Sequence, residues 1–255
     1  MGENGNIVIV TGGGSGIGRA VCHGFAREGA TVVVVNRTGH KGEEVAAEIV
    51  QQGYPAIALQ GDVSAEGDVR RVVAETVRRY GKIDVLVNNA AVCPQGRLTE
   101  LTLEQWNHVI ASNLTSVFLF CREVIPHMLQ AGGGNIVNVS SVHAVATLEG
   151  YSAYAASKGG MVALTRAIAL DFAKQNVRVN TVLPGAVHTP MLESSVKNLD
   201  TPRDQIMNTW NEAQPIGRVG TPEEIASVVL FAASQANSFM TGATLVADGG
   251  LTIDL

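Results

Sequence analysis

Tyr154 and Lys158 stand four residues apart in the run Tyr154-Ala155-Ala156-Ser157-Lys158. At helical spacing both lie on one face. A free phenol titrates near ~10 and is a poor acid or base at neutral pH. A neighbouring ammonium stabilises the phenolate and lowers that value. Each unit of lowering takes about 1.4 kcal/mol of differential interaction. The pair can therefore move a proton, although the spacing alone also fits an ordinary surface pair. Further residues favour chemistry. Ser140-Ser141 closes an apolar run, with Ser141 thirteen residues before Tyr154. Asn88-Asn89-Ala90-Ala91 closes another, and Pro184-Gly185-Ala186-Val187-His188-Thr189-Pro190 follows a third. Asn113 lies within a helical stretch.

A second device precedes them. Thr11-Gly12-Gly13-Gly14-Ser15-Gly16-Ile17-Gly18 joins an apolar run to a helical pattern. Glycines there admit positive φ and let backbone N–H groups approach a pyrophosphate at a helix N-terminus. The spacing is TGxxxGxG, longer than the GxGxxG dinucleotide turn, but its strand-to-helix placement has the same logic. The next strand ends Val35-Asn36-Arg37. An NAD site usually carries a carboxylate at that point for the ribose 2′-hydroxyl. Asn36 cannot serve that way, whereas Arg37 can pair with a 2′-phosphate. The expectation is NADP, with NAD as the alternative, since uncharged Ser15 adds no phosphate affinity.

The elements that hold these residues alternate regularly. Short β-branched runs at Ile7–Val10, Thr31–Val35, Ala56–Leu59, Ile83–Val87, Asn135–Val139, Val177–Val182 and Ala243–Val246 read as strands. Helical patterns fill the intervals: Ile17–Glu28, Lys41–Gln52, Glu66–Tyr80, Leu103–Gln130, Tyr151–Lys174 and Pro222–Ser234. Pro126 is expected to kink or end its helix. Seven strands alternating with six helical stretches without a linker predict an α/β fold, a doubly wound parallel seven-stranded sheet with helices on both faces. One domain, residues 1–255, is expected. The polar stretch 191–217 reads as a loop long enough to be a substrate lid.

Composition narrows the function. Apolar residues make up 46% of 255 residues, enough for a large core. The net charge of −5 and the lack of a basic run argue against nucleic acid and anionic membrane. No unbroken apolar run reaches the length of a membrane span. The start, with no cationic segment before a short apolar stretch, does not resemble a secretion signal, so a cytoplasmic location is expected. Three scattered cysteines and scattered histidines point to neither disulfides nor a metal site.

Together these motifs, in this order from Thr11 to Asp248-Gly249-Gly250, resemble the short-chain dehydrogenase/reductase family. The resemblance implies a single Rossmann-like domain that transfers hydride between a nicotinamide and a carbonyl or secondary alcohol. By the same resemblance Tyr154 is the acid–base, and Lys158 lowers its pKa and holds the nicotinamide ribose. Ser141 holds the substrate oxygen, and Asn113 holds a water in a proton relay. Gly12, Gly14, Ser15, Gly16, Ile17 and Gly18 form the cofactor turn. Asp62 and Val63 hold adenine, and Asn89 sits beside its ribose. Pro184, Gly185, Val187 and Thr189 flank the nicotinamide. Ser141, His143, Leu148, Tyr151, Tyr154 and His188 are expected to line a small-molecule substrate pocket. Met128, Met161, Met207 and the tryptophans are expected to serve packing. The family's usual Asn-Asn-Ala-Gly is Asn-Asn-Ala-Ala here, with Ala91. The ending Phe239–Gly250 resembles that of tetrameric members, so a homotetramer is expected. Two alternatives stay open: a 3-oxoacyl-(acyl-carrier-protein) reductase, and a non-catalytic dinucleotide-binding sensor.

Overall fold

The computed structural model describes residues 5–197 and 202–253. Its strands are β1 (Ile7–Thr11), β2 (Thr31–Asn36), β3 (Ala56–Gln60), β4 (Val85–Asn88), β5 (Gly134–Val139), β6 (Val177–Pro184) and β7 (Thr244–Ala247). They form one parallel sheet in the order β3-β2-β1-β4-β5-β6-β7. Continuous Val and Ile runs build its centre because helices cover both faces there. Val8, Ile9 and Val10 of β1 and Val32, Val33 and Val34 of β2 are fully buried. Edge strand β3 is only half-buried, which accounts for its weak pattern.

The helices are α1 (Gly16–Arg27), α2 (Gly39–Gln51), α3 (Glu66–Tyr80), α4 (Leu103–Ile110), α5 (Ser116–Gln130), α6 (Ser152–Phe172), α7 (Pro190–Lys197), α8 (Arg203–Ala213) and α9 (Pro222–Ala233). Helices α1, α2 and α9 bury their apolar faces in one core layer, and α3, α5 and α6 in the other. Local chemistry sets the ends. Gly81 stops α3 in a left-handed conformation, with its N–H on the Val77 carbonyl. Thr221 and Glu224 cap α9 reciprocally, with Pro222 in its first turn.

Three expectations change. The polar stretch after Pro190 is not a loop: it holds α7 and α8, linked by an Arg203–Glu193 ion pair at 2.6 Å. Both helices bury little, so their apolar periodicity is faint; residues 198–201 of the expected lid lie outside the described residues. Pro126 does not end its helix, and α5 runs through it to Gln130. The lost backbone bond is outweighed by burial of Val124, Ile125 and Met128 around it. Between α4 and α5, residues Ala111–Thr115 form one wide turn in which the Ser116 N–H reaches back to the Ala111 carbonyl. The resulting stretch Leu103–Gln130 is long and apolar enough to cross a membrane, with mean hydropathy 1.3. Its Val117, Phe120, Val124 and Met128 are buried in the core beside the sheet.

Strand order reverses between β1 and β4, and the loops leaving the two strands diverge there. In open α/β sheets a crevice opens at that point, outside the carboxyl ends.

Candidate active site

A cleft of about 730 Å³ occupies that crevice. Helix α6 brings Tyr154 and Lys158 to its floor, where they are 7% and 2% exposed. The end of β5 fixes the helix against the sheet. Lys158 Nζ donates to the Val139 carbonyl at 2.9 Å, and Ser140 Oγ donates to the Lys158 carbonyl at 2.9 Å. Ser140 is thus turned into the helix. Ser141, next in the chain, lines the cleft beside Tyr154, near enough for its hydroxyl to pull the phenol's titration down. Ser141 Oγ also accepts the His143 N–H at 3.2 Å.

Burial dominates the electrostatics of these two side chains. Burial pushes the Tyr154 phenol above its ordinary value, Cys93 adds to this, and the Ser141 hydroxyl opposes it. Burial also pushes Lys158 down to about 8. Lys158 Nζ lies 5.5 Å from the Tyr154 ring centroid, but its hydrogen bond goes to Val139. The chain by itself therefore does not make Tyr154 a strong acid. Two desolvated groups are held close together, and added positive charge in the cleft would favour the phenolate.

Asn113 sits in the wide turn and is fully buried. Its amide accepts from the Val92 N–H at 2.8 Å and donates to the Val92 carbonyl at 2.9 Å and to Ser157 Oγ at 3.1 Å. The side chain ties the loop after β4 to α6 and is absent from the cleft wall. Its neighbour Ser112 lines the cleft instead.

At the other end the glycine turn is shaped by close approach. Gly12 has φ +66° and Gly16 φ +51°, and a Cβ on Gly12 would lie 2.8 Å from Ala90 Cα. Gly12, Ser15, Gly16 and Ile17 line the cleft, whereas Gly14 faces Asn36 and Gly18 abuts the Gly12 carbonyl. The latter two build the turn without walling the site. Asn89 Nδ2 donates to the Thr11 carbonyl at 3.0 Å, and Thr11 Oγ1 accepts the Asn89 and Ala90 N–H groups. Ala91 lies outside the left-handed region, so its methyl is accommodated without strain.

Asn36, Arg37, Asp62, Val63, Asn89, Pro184, Gly185, Val187 and Thr189 all line the cleft. Asp62 is held below the ordinary carboxyl value, chiefly by the Ser64 hydroxyl. Sequence reading missed Thr38 and Lys41 at the start of α2, which stand in the wall beside Arg37. Across the cleft Ser141, His143, Leu148 and Tyr151 line the other half. His188 does not: its side chain is about half exposed and lies 3.8 Å from Glu193. Trp210, read as packing, is in the wall, as are Met191, Leu192, Leu251 and Thr252. Among the described residues no group of three His, Cys, Asp or Glu could hold a metal ion. A dinucleotide fits these residues: a glycine cradle that side chains would fill at one end, and an uncharged polar pocket with acid–base groups at the other.

The family model "Enoyl-(Acyl carrier protein) reductase" matches residues 12–252. The 3-oxoacyl-(acyl-carrier-protein) reductase FabG of Chlamydia pneumoniae is 40% identical, over 97% of each chain. The crystal structure of levodione reductase superposes with a TM-score of 0.95 at 33% identity, over 98% of each chain. A single-residue variant of actinorhodin polyketide ketoreductase, solved with NADPH, also gives 0.95, at 32% identity over 98% of this chain and 99% of that one. The chain belongs to the short-chain dehydrogenase/reductase family. It is an oxidoreductase with that family's Rossmann-like fold.

Proposed function

We propose that this protein is an NADP(H)-dependent oxidoreductase interconverting the carbonyl and secondary alcohol of a small molecule. The observation that carries the reading is the convergence of buried Ser141, Tyr154 and Lys158 on the floor of one cleft, with the Lys158 ammonium 5.5 Å from the Tyr154 ring. Bound reduced dinucleotide would supply the hydride. Ser141 holds the carbonyl oxygen, and its hydroxyl supports the charge that develops there. Tyr154 gives that oxygen its proton as the alkoxide forms, and takes it back in oxidation. Lys158 lies beneath the ring, and its charge favours the phenolate left behind. Asn113 acts through position, by holding the Val92 loop against α6. Arg37 and Lys41 face one part of the wall and together suit a 2′-phosphate. The comparison with an NADPH-bound ketoreductase supports the same cofactor.

A second reading, a 3-oxoacyl-(acyl-carrier-protein) reductase, is favoured by the Chlamydia pneumoniae relative. It differs in requiring a thioester substrate. The cytoplasm is the proposed location, which suits three cysteines that stand as free thiols. A non-catalytic sensor has no need of an acid–base pair buried under a hydroxyl. The test is Tyr154→Phe, which keeps the ring and removes the proton. Turnover should fall by roughly 10²–10⁴, the usual worth of a positioned acid–base group, while cofactor binding by titration is retained. A variant as active as the wild type would sink the assignment.

A further inference from the structure

Charge in the cleft is distributed unevenly. Arg37, Lys41 and Asp62 lie in the half formed by the glycine turn and the ends of β2 and β3, and Lys158 is beneath the floor. The opposite half, from His143 to Tyr151 and across to α7, α8 and the chain's last turn, contains no Lys, Arg, Asp or Glu in its wall among the described residues. Most of its hydroxyls are already engaged within the protein. Ser195 donates to the Met191 carbonyl at 3.0 Å, Thr209 to the Gln205 carbonyl at 3.0 Å, and Thr252 to Asp248 at 2.6 Å.

His143 is different. Its Nδ1 is 2.8 Å from Thr147 Oγ1, which leaves Nε2 without a protein partner among the described residues. Burial holds its pKa below the ordinary value, so it is uncharged near neutral pH. Its ring centroid lies 4.5 Å from that of Tyr151 and 5.5 Å from that of Tyr154. Gln95 Nε2 donates to the Tyr151 hydroxyl oxygen, which leaves the Tyr151 proton free to be donated. Two unused polar groups therefore stand beside the acid–base tyrosine in a wall without charge. A Thr–His pair can present Nε2 as donor or as acceptor, according to tautomer.

On the reading of the site given above, we propose that His143, with Tyr151, recognises a second, uncharged oxygen close to the substrate's reacting carbon. The preferred substrates are then neutral hydroxyketones and polyols, not carboxylates, phosphates or simple ketones. A wall built to hydrogen-bond a substrate oxygen discriminates against analogues lacking it, because its own groups are then left unpaired.

The experiment compares matched pairs with the intact enzyme: 2-hydroxycyclohexanone against cyclohexanone, and 1,2-cyclohexanediol against cyclohexanol. The readout is the ratio of kcat/KM within each pair, which cancels losses common to both members. The wild type should prefer the hydroxylated member by tenfold or more. His143→Phe should bring the ratio to within about threefold of one, whereas His143→Gln should retain part of it. Tyr151→Phe, which removes only the hydroxyl, should lower the ratio as well. Turnover of both members with no preference, or a preference unchanged in His143→Phe and Tyr151→Phe, would overturn this proposal and leave the oxidoreductase reading standing. Turnover of neither member of either pair would overturn this proposal, and turnover of no carbonyl at all, an acetoacetyl thioester included, would overturn both.

Discussion

Lys158 is a fully buried cation whose partner is a neutral carbonyl, and this has opposite consequences for catalysis and stability. In the folded protein it titrates at about 8. In the unfolded chain it titrates near ~10.4. Below pH 8 both states carry the proton, and burial of the charge opposes folding. Between about pH 8 and ~10.4 only the unfolded state keeps it, so stability rises with pH through that window. Denaturant unfolding of the cofactor-free protein should show this rise, and Lys158→Met should lack it. In the proposed mechanism that charge assists catalysis, so kcat/KM for the reduced cofactor should be level below pH 8 and fall above it. A stability profile falling from pH 8 to 10 would contradict the burial of Lys158.

Among the elements, the wide turn between α4 and α5 does the most positioning. It places Asn113 where one amide satisfies both backbone groups of Val92 and touches Ser157 on α6. Asn113→Leu would leave those groups buried without partners. Unfolding free energy should drop by about 1–3 kcal/mol or more, measured by urea titration. A loss below about 0.5 kcal/mol would mean that the loop finds other partners. The strands were legible because parallel, doubly covered strands are written as Val and Ile runs. The glycine turn and the Tyr154–Lys158 pair were legible because each is local: a few adjacent residues carry the whole device. Helices α7 and α8 were not, since they rest on an ion pair and little burial. The places of Leu251 and Thr252 were not either, because Asp248 holds that turn at the cleft from the end of β7, a position set by the whole sheet. His188 was misplaced because adjacency in sequence says nothing of which way a side chain leaves a loop. The burial that raises the Tyr154 phenol was not legible either, because spacing does not report burial.

At the scale of the molecule, several large apolar side chains are exposed. Phe239 is fully exposed, and Leu170, Ile253, Phe231 and Val246 are each about half exposed or more. Val246 lies on β7 and Phe231 on α9 beside it, and exposed apolar groups there suit association of identical subunits. The proposed homotetramer should have four times the chain mass of 26.7 kDa by light scattering, and Phe239→Asp should shift it to smaller species. A monomeric wild type would contradict it. The central claim is that the cleft couples NADP(H) to a carbonyl. Its most direct test is purified enzyme turning over a panel of ketones, hydroxyketones, sugars and an acetoacetyl thioester, with NADPH and NADH compared by kcat/KM. The expected result is carbonyl-dependent oxidation of NADPH, preferred over NADH by tenfold or more, with Arg37→Ala erasing most of that preference. A clear preference for NADH, or no oxidation of either cofactor by any carbonyl, would contradict it.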